Sequence, residues 1–152
     1  MLAAVYAAPQ MTPEVLKQLV EEWIPFNKYV GVKVIELGHG EVLFEVGYRD
    51  ELIGDPVKKA IHGGVISMLA DTAGGVAVWS VLDDARSRVS TIDLRVDYLL
   101  PGKQEDLRAH ATLVRAGKTV GVADVRLFHP SDPKATIATG KGVYAIRLQK
   151  ER

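Results

Sequence analysis

The chain contains no cysteine, which removes a disulfide framework, a thiolate zinc site and a cysteine nucleophile from consideration. It also lacks an excess of either charge: 19 Lys and Arg stand against 19 Asp and Glu, a formal net charge of zero. A general electrostatic grip on nucleic acid needs a basic face that displaces counterions from phosphates, so no nucleic-acid partner is expected. No G-x-S-x-G turn for an α/β-hydrolase serine is present. Gly38-His39-Gly40 has no third glycine and falls between two strand-like runs, so it is not a dinucleotide fingerprint. His39, His110 and His129 lack metal-ligand spacing, and no metal is assigned. Trp23 and Trp79 sit on helical faces and read as core or docking residues rather than a base-stacking platform. Internal repeats, linkers and low-complexity tracts are absent as well.

What is present describes one globular domain of 152 residues, 47% hydrophobic and 25% charged. A chain of this size buries roughly 70% of the surface its unfolded form exposes, enough to fold without a metal or disulfide. The longest apolar run, Gly63 to Leu82, carries a single charge, Asp71. As a membrane span it would place an ionised acid at mid-bilayer at a cost of about 2.5 to 3.5 kcal/mol. Its Gly and Ala content also counts against a span, so it reads as a buried helix and no membrane partner is expected. The N-terminal run Leu2-Ala3-Ala4-Val5-Tyr6-Ala7-Ala8 has no Lys or Arg before Lys17, unlike a secretory signal, and a cytoplasmic location is expected.

Residues 1–11 read as a loose extension. Thr12-Pro13-Glu14 then supplies an N-cap, a first-turn proline and an acid at the positive end of a helix dipole. Leu16, Leu19, Val20 and Trp23 recur at helical spacing, and Pro25 is read as the stop of a helix over 13–24. Strands are expected over 32–37 and 42–48, joined by a turn at Gly38-His39-Gly40-Glu41. A loop holds Leu52 to Pro56, and the run from Gly64 to Leu82 is apolar on every side of a helical wheel, the mark of a helix surrounded by protein. The period then becomes two: Ile92, Leu94, Val96, Tyr98 and Leu100 alternate with Thr91, Asp93, Arg95 and Asp97 in a half-buried strand. Similar alternation over 107–113 and 123–127 flanks a turn at Ala116-Gly117-Lys118, and a last strand covers 135–148, with Gly140 and Gly142 as bulge or crossing points. The implied fold class is α+β: a long central helix wrapped by a curved antiparallel sheet with hairpin-length connections, plus an extra N-terminal helix.

The segment richest in chemistry is Ile61-His62-Gly63-Gly64-Val65-Ile66-Ser67-Met68-Leu69-Ala70-Asp71. Two glycines open a helix whose free amides and positive dipole end can receive a developing oxyanion. They also let a carbonyl approach the backbone without a Cβ in the way. Asp71 lies two turns on, inside an apolar helix, where a carboxylate is costly unless paired or retained for proton transfer. His62 is read two ways, as a contact to substrate or as a loop-fixing hydrogen-bonding group, and the second is favoured.

His62-Gly63-Gly64 followed after six residues by Asp71, within a helix preceded by two strands and followed by four, resembles the hotdog-fold acyl-CoA thioesterases, and most closely their phenylacetic-acid-pathway (PaaI-like) branch. Ser90 to Tyr98 and Pro101-Gly102 resemble that family's strand after the helix. The likeness spans 30–148, with 1–29 as an N-terminal extension and helix. It implies hydrolysis of a medium-chain or aryl acyl-CoA to free acid and CoA, with no cofactor beyond the CoA of the substrate. It further implies a homodimer with active sites at the interface, and a homotetramer built as a dimer of dimers. Asp71 would be nucleophile or general base, and the Gly63 or Gly64 amide the oxyanion donor, commonly from the other subunit. Thr91 matches the position that places the water, and the adjacent Ser90 is a substrate-binding candidate that should face the other way on a strand. Ser67, on the first helical turns, is a further substrate-binding candidate. Where related enzymes carry Asn six residues before the histidine, this chain has Pro56, with Asp55 one residue further back. If Asp55 substitutes, two like charges share the site and one pKa rises. Arg115, Lys118 and Lys103 are candidates for the CoA phosphates. Another function class is compatible with the same motif: a non-catalytic acyl-CoA binding or sensing domain, which would tolerate loss of Asp71 where an enzyme would not.

Overall fold

The computed structural model describes residues 11–84 and 86–148; the N-terminal run read as an extension without a secretory signal falls almost wholly outside them. Thr12 caps the first helix, α1 (Pro13–Gln18), its Oγ1 accepting the Val15 amide at 3.3 Å. The helix does not run on to residue 24 as the spacing predicts. A π-helical turn, Leu19–Trp23, follows, and Pro25, read as a stop, is also the start of a second helix, α2 (Pro25–Val30). The reason is that a ring-fixed φ suits the first helical position as well as it interrupts a helix interior. Gly31 closes α2 at φ +86°, a left-handed cap that favours glycine. Arg49 donates to the Tyr29 and Val30 carbonyls at that end, 2.8 Å each, where a cation suits the helix dipole.

Strands β1 (Val32–Leu37) and β2 (Glu41–Val46) form the expected hairpin, turning at Gly40 with φ +79°. The segment read as a loop contains a 3-10 turn, Asp50–Leu52, and a short hairpin of β3 (Ile53–Asp55) and β4 (Ala60–Ile61). The long helix, α3, is Gly63–Trp79, three residues shorter than its apolar run. Ser80 ends it: its hydroxyl donates to the Ala77 carbonyl and accepts the Gly40 amide, 2.8 Å each, tying the helix to the first hairpin.

Strands β5 (Arg88–Tyr98), β6 (Leu107–Ala116), β7 (Val120–Phe128) and β8 (Ala138–Arg147) complete a six-stranded antiparallel sheet in the order β1-β2-β6-β7-β8-β5. Here the expectation of successive hairpins is corrected. β5 does not pair with β6; it crosses to the far edge and pairs with β8. As an edge strand it is largely exposed rather than half-buried, with Ile92 59% and Tyr98 54% accessible. A bulge at Ile92, between the Thr91–Tyr144 and Asp93–Val143 pairs, shifts the face that each side chain presents.

The inner face of the sheet wraps α3. Phe44, Leu107, Ala109, Ala111, Ala123, Leu127 and Ala138 are fully or almost fully buried against Leu69, Ala70, Ala73, Ala77 and Val78. Small residues let the layers approach closely: a Cβ added at Gly121 would lie 2.5 Å from Val78 Cγ1. Gly140 and Gly142 are not bulges, because the β7–β8 ladder runs through both without a register shift. A Cβ at Gly142 would collide with the ring of Tyr144, which leans back along the strand over that position toward α3. This α-helix enclosed by a curved antiparallel sheet is the hotdog fold.

Candidate active site

Asp71 stands in the middle of α3, half-buried, and faces β5. Its Oδ1 accepts a hydrogen bond from Thr91 Oγ1 at 2.8 Å. The β5 bulge is what brings Thr91 there: strict alternation sets Thr91 opposite Leu94 and Val96, whereas one extra residue at Ile92 turns all three toward the helix side. Ser90 is exposed on the other face. On the inner side Tyr144, 1% accessible, donates its hydroxyl to the Asp71 carbonyl at 3.1 Å. Burial, reinforced by the nearby Asp71 carboxylate, pushes the Tyr144 phenol above the ordinary tyrosine range. Tyr144 thus stays neutral and anchors the turn that carries Asp71. A cavity of about 170 Å³ opens beside the carboxylate, walled by Ile24, Val76 and Val89 together with Asn27, Trp79 and Thr91.

At the start of α3, His62 is the N-cap, and its Nδ1 accepts the Gly64 amide at 2.8 Å. Capping therefore occupies the Gly64 N–H, while the Gly63 amide has no acceptor among the described residues. The Gly63 carbonyl accepts from the Tyr98 hydroxyl at 3.1 Å, a contact that pattern reading missed because Tyr98 registered only as part of the alternation. Ser67 donates to the Gly64 carbonyl at 3.2 Å and stays within the helix.

Asp55 closes the β3–β4 turn, its Oδ1 accepting the Val57 and Lys58 amides at 2.9 Å each. Those amides hold its carboxyl below the ordinary aspartate range, the reverse of the rise that a site shared with Asp71 would cause. Arg115 and Lys118 flank the β6–β7 turn, beside the end of α3 where Gly121 meets Val78. Lys103 lies at the opposite end, where Lys58 and Lys59, unnoticed in the sequence, join it around a cavity of about 550 Å³. The Ile61 amide donates to the Gly102 carbonyl at 2.8 Å, fixing this basic cavity to the approach of α3. His129 is a structural residue: its Nε2 accepts the Lys103 amide and its Nδ1 meets the Asp106 carbonyl, 2.8 Å each, which sets the proton on Nδ1. Among the described residues no three His, Cys, Asp or Glu converge as a metal site, and no helix is long and apolar enough to cross a membrane.

A carboxylate fixed by a hydroxyl can accept a proton or attack a carbonyl, and an unoccupied helix-start amide can receive an oxyanion. Residues 58–136, which contain both groups, match the Thioesterase superfamily model. The chain belongs to the thioesterase superfamily. It is 35% identical to the medium/long-chain acyl-CoA thioesterase YigI of Escherichia coli K12, over 95% of this chain and 99% of that protein. A solved Shewanella oneidensis protein related to the thioesterase superfamily superposes with a TM-score of 0.77 at 28% identity, covering 90% of this chain and all of the other. The E. coli PaaI protein of the phenylacetic acid degradation operon shares the fold, with a TM-score of 0.71 at 24% identity over 82% and 85% of the two chains. The chain is accordingly a hydrolase of the thioesterase kind.

Proposed function

We propose that this protein hydrolyses acyl-CoA thioesters in a site completed by two copies of the chain, with Asp71 from one and the Gly63 amide from the other. The observation that carries this reading is a separation. Gly63 and Asp71 are eight residues apart on one helix, about 12 Å along its axis at 1.5 Å per residue. Reacting groups must come within about 3 to 3.5 Å of the atoms they act on, so one chain's pair cannot grip one thioester carbonyl. A second copy resolves this. The outer edge of β5 has no strand partner among the described residues, and it carries exposed Ile92 and Tyr98. An open edge of that kind is a template for pairing with another strand. Two sheets joined there bring each Asp71, which faces β5, toward the other copy. The family resemblance further supports pairing of such dimers into tetramers.

In this reading Asp71, aligned by Thr91, either takes a proton from water or attacks the thioester carbon itself. In the first route the water oxygen bonds to the carbonyl carbon and the carbonyl oxygen becomes an oxyanion held by Gly63 N–H. The C–S bond then breaks, CoA leaves as thiolate, and the thiolate recovers the proton. In the second route an acyl-aspartyl anhydride forms and water opens it. A single turnover in H₂¹⁸O separates the routes, since only the second can leave ¹⁸O in the Asp71 carboxylate.

The acyl group enters the cavity beside Asp71. An apolar cavity of about 150 Å³ holds benzene, so the roughly 170 Å³ here supports a medium-chain or aryl tail. The name of the E. coli relative, a medium/long-chain acyl-CoA thioesterase, supports the medium-chain part of that range. Lys58, Lys59 and Lys103, on the Gly63 side, suit the CoA phosphates better than Arg115 and Lys118, which sit in one chain about 22 Å along α3 from Gly63. The test is CoA release from short, medium, long and aryl acyl-CoAs by the unmodified protein and Asp71→Ala. Turnover that falls by about two orders of magnitude or more is expected. Binding without turnover in both proteins would instead make this an acyl-CoA binding domain.

A further inference from the structure

The start of α3 is built from the two residues whose backbone rotates most freely. Gly63 and Gly64 have no Cβ to restrict the peptide between them, yet an oxyanion donor is effective only when its N–H is aimed before charge develops. The peptide that bears the Gly63 N–H is held on its carbonyl side, where His62 O accepts the Val65 and Ile66 amides at 2.9 and 3.4 Å. The next peptide is pinned at both ends. Its N–H, on Gly64, donates to His62 Nδ1 at 2.8 Å, and its carbonyl, on Gly63, accepts the Tyr98 hydroxyl at 3.1 Å. Tyr98 comes from the last position of β5, 35 residues along the chain, and its ring stands over Gly63, where an added Cβ would lie 3.3 Å from Cε1. Packing and hydrogen-bond satisfaction explain this tyrosine poorly. It is 54% accessible, so it adds little to the core. A helix start lacks partners for its N–H groups and not for its carbonyls, so the Gly63 carbonyl has no need of a hydroxyl.

We propose that Tyr98 is a positioning residue for the oxyanion donor: with His62 it locks the Gly63–Gly64 peptide and so fixes the direction in which the Gly63 N–H points. The inference rests on the thioesterase reading and adds to it how the donor is held. With the peptide before Gly63 set by Val65 and Ile66, and the peptide after it set by Tyr98 and His62, both backbone torsions of Gly63 are determined. Without the hydroxyl the second plane hangs on the His62 ring alone, and rotation about Gly63 carries the N–H off its target. Tyr98 also lies at the edge of β5 where, on that reading, the second copy joins. There the water that competes for its hydroxyl is displaced and the bond is electrostatically stronger.

The test is Tyr98→Phe, which keeps the ring over Gly63 and removes only the bond; the side chain is exposed, so the fold is kept. With hexanoyl-CoA, kcat should fall about fivefold or more while KM moves less than about twofold, because the loss falls on a group that acts as charge develops. Hydrogen exchange at the Gly64 amide, read by NMR, should accelerate about fivefold or more, which a hydroxyl with no hold on that peptide would not cause. A third readout is independent of turnover. The CoA ketone in which a methylene replaces the thioester sulfur keeps the carbonyl, and the alkyl-CoA thioether lacks it. The ketone should bind the unmodified protein about threefold or more tighter than the thioether, and Tyr98→Phe should bring the two Kd values together. Unchanged kcat in Tyr98→Phe, or a lowered kcat with Gly64 exchange unaltered, overturns the proposal. If no thioester is hydrolysed, the hydrolase reading fails and the ketone preference decides this one: its loss in Tyr98→Phe sustains the positioning role, and its persistence overturns it.

Discussion

Two glycines, Gly74 and Gly142, make room for different parts of Tyr144. A Cβ at Gly74 would lie closer than 3.0 Å to the Tyr144 hydroxyl oxygen alone, with Cζ at 3.1 Å and Cε2 at 3.3 Å. A Cβ at Gly142 would also meet the ring, with Cε2 and Cζ both at 2.5 Å. Gly74→Ala should therefore gain about 1 kcal/mol of helix propensity and lose about 1 to 3 kcal/mol to overpacking. Displacing the hydroxyl from the Asp71 carbonyl costs about 1 kcal/mol more. The net is a destabilisation of about 2 kcal/mol. Adding Tyr144→Phe removes the colliding atom, so the pair should be less destabilised than the sum of the single changes by about 1 to 2 kcal/mol. Gly142→Ala should show no such rescue, because the ring atoms that collide remain in phenylalanine. Urea unfolding of the two double-mutant cycles reads these numbers. Additive energies in the Gly74 cycle, or equal rescue in both, would refute the packing argument.

Three more outcomes follow from named contacts. Thr91→Val keeps the shape and deletes the bond to Asp71 Oδ1. A hydrogen bond to a charged group is worth about 1.5 to 3 kcal/mol, so kcat should fall about 10- to 100-fold, with Thr91→Ser recovering most of it. Because the folded-state Tyr144 phenol titrates above its ordinary value, its contribution to stability is complete below the unfolded value of about 10 and is lost as pH rises beyond it. Chemical denaturation between pH 9 and 11 should accordingly show a stability decline that Tyr144→Phe flattens, within roughly the window set by those values; an unchanged slope contradicts the assignment. Replacing Lys58 and Lys59 by Ala should raise KM for an acyl-CoA about tenfold more than for the matching acyl-pantetheine, and less so at high salt. Equal effects on the two substrates would remove the phosphates from that cavity.

Sequence pattern revealed the central helix, the hairpin turning at Gly40 and the inward faces of β6 and β7, because each is a local periodicity imposed by burial on one side. It misplaced β5, since strand order in a sheet is decided by distant partners that alternation does not encode. It read Ile92 in phase with Leu94, because a bulge is one residue inserted in a pattern and leaves the composition unchanged. Pro25 carries both a stop and a start, and only the packing of α2 against the body distinguishes them. Gly142 registered as a bulge point although its role is to leave space for a ring two residues later. At the site, the helix start and Asp71 were visible as a spaced motif. Tyr98, Lys58 and Lys59 were not, because nothing adjacent in the chain marks what they will face.

The measurement that bears most directly on the shared site is subunit complementation. Asp71→Ala and Gly63→Val each disable one half of the proposed pair, and equal amounts can be unfolded and refolded together. In a two-fold dimer half of the mixed population is heterodimeric, and each heterodimer has one site with both an intact Asp71 and an intact Gly63. Activity of about a quarter of the unmodified protein's should return on mixing two inactive preparations. A mixture as inactive as its parts would place both groups in one chain and contradict the account.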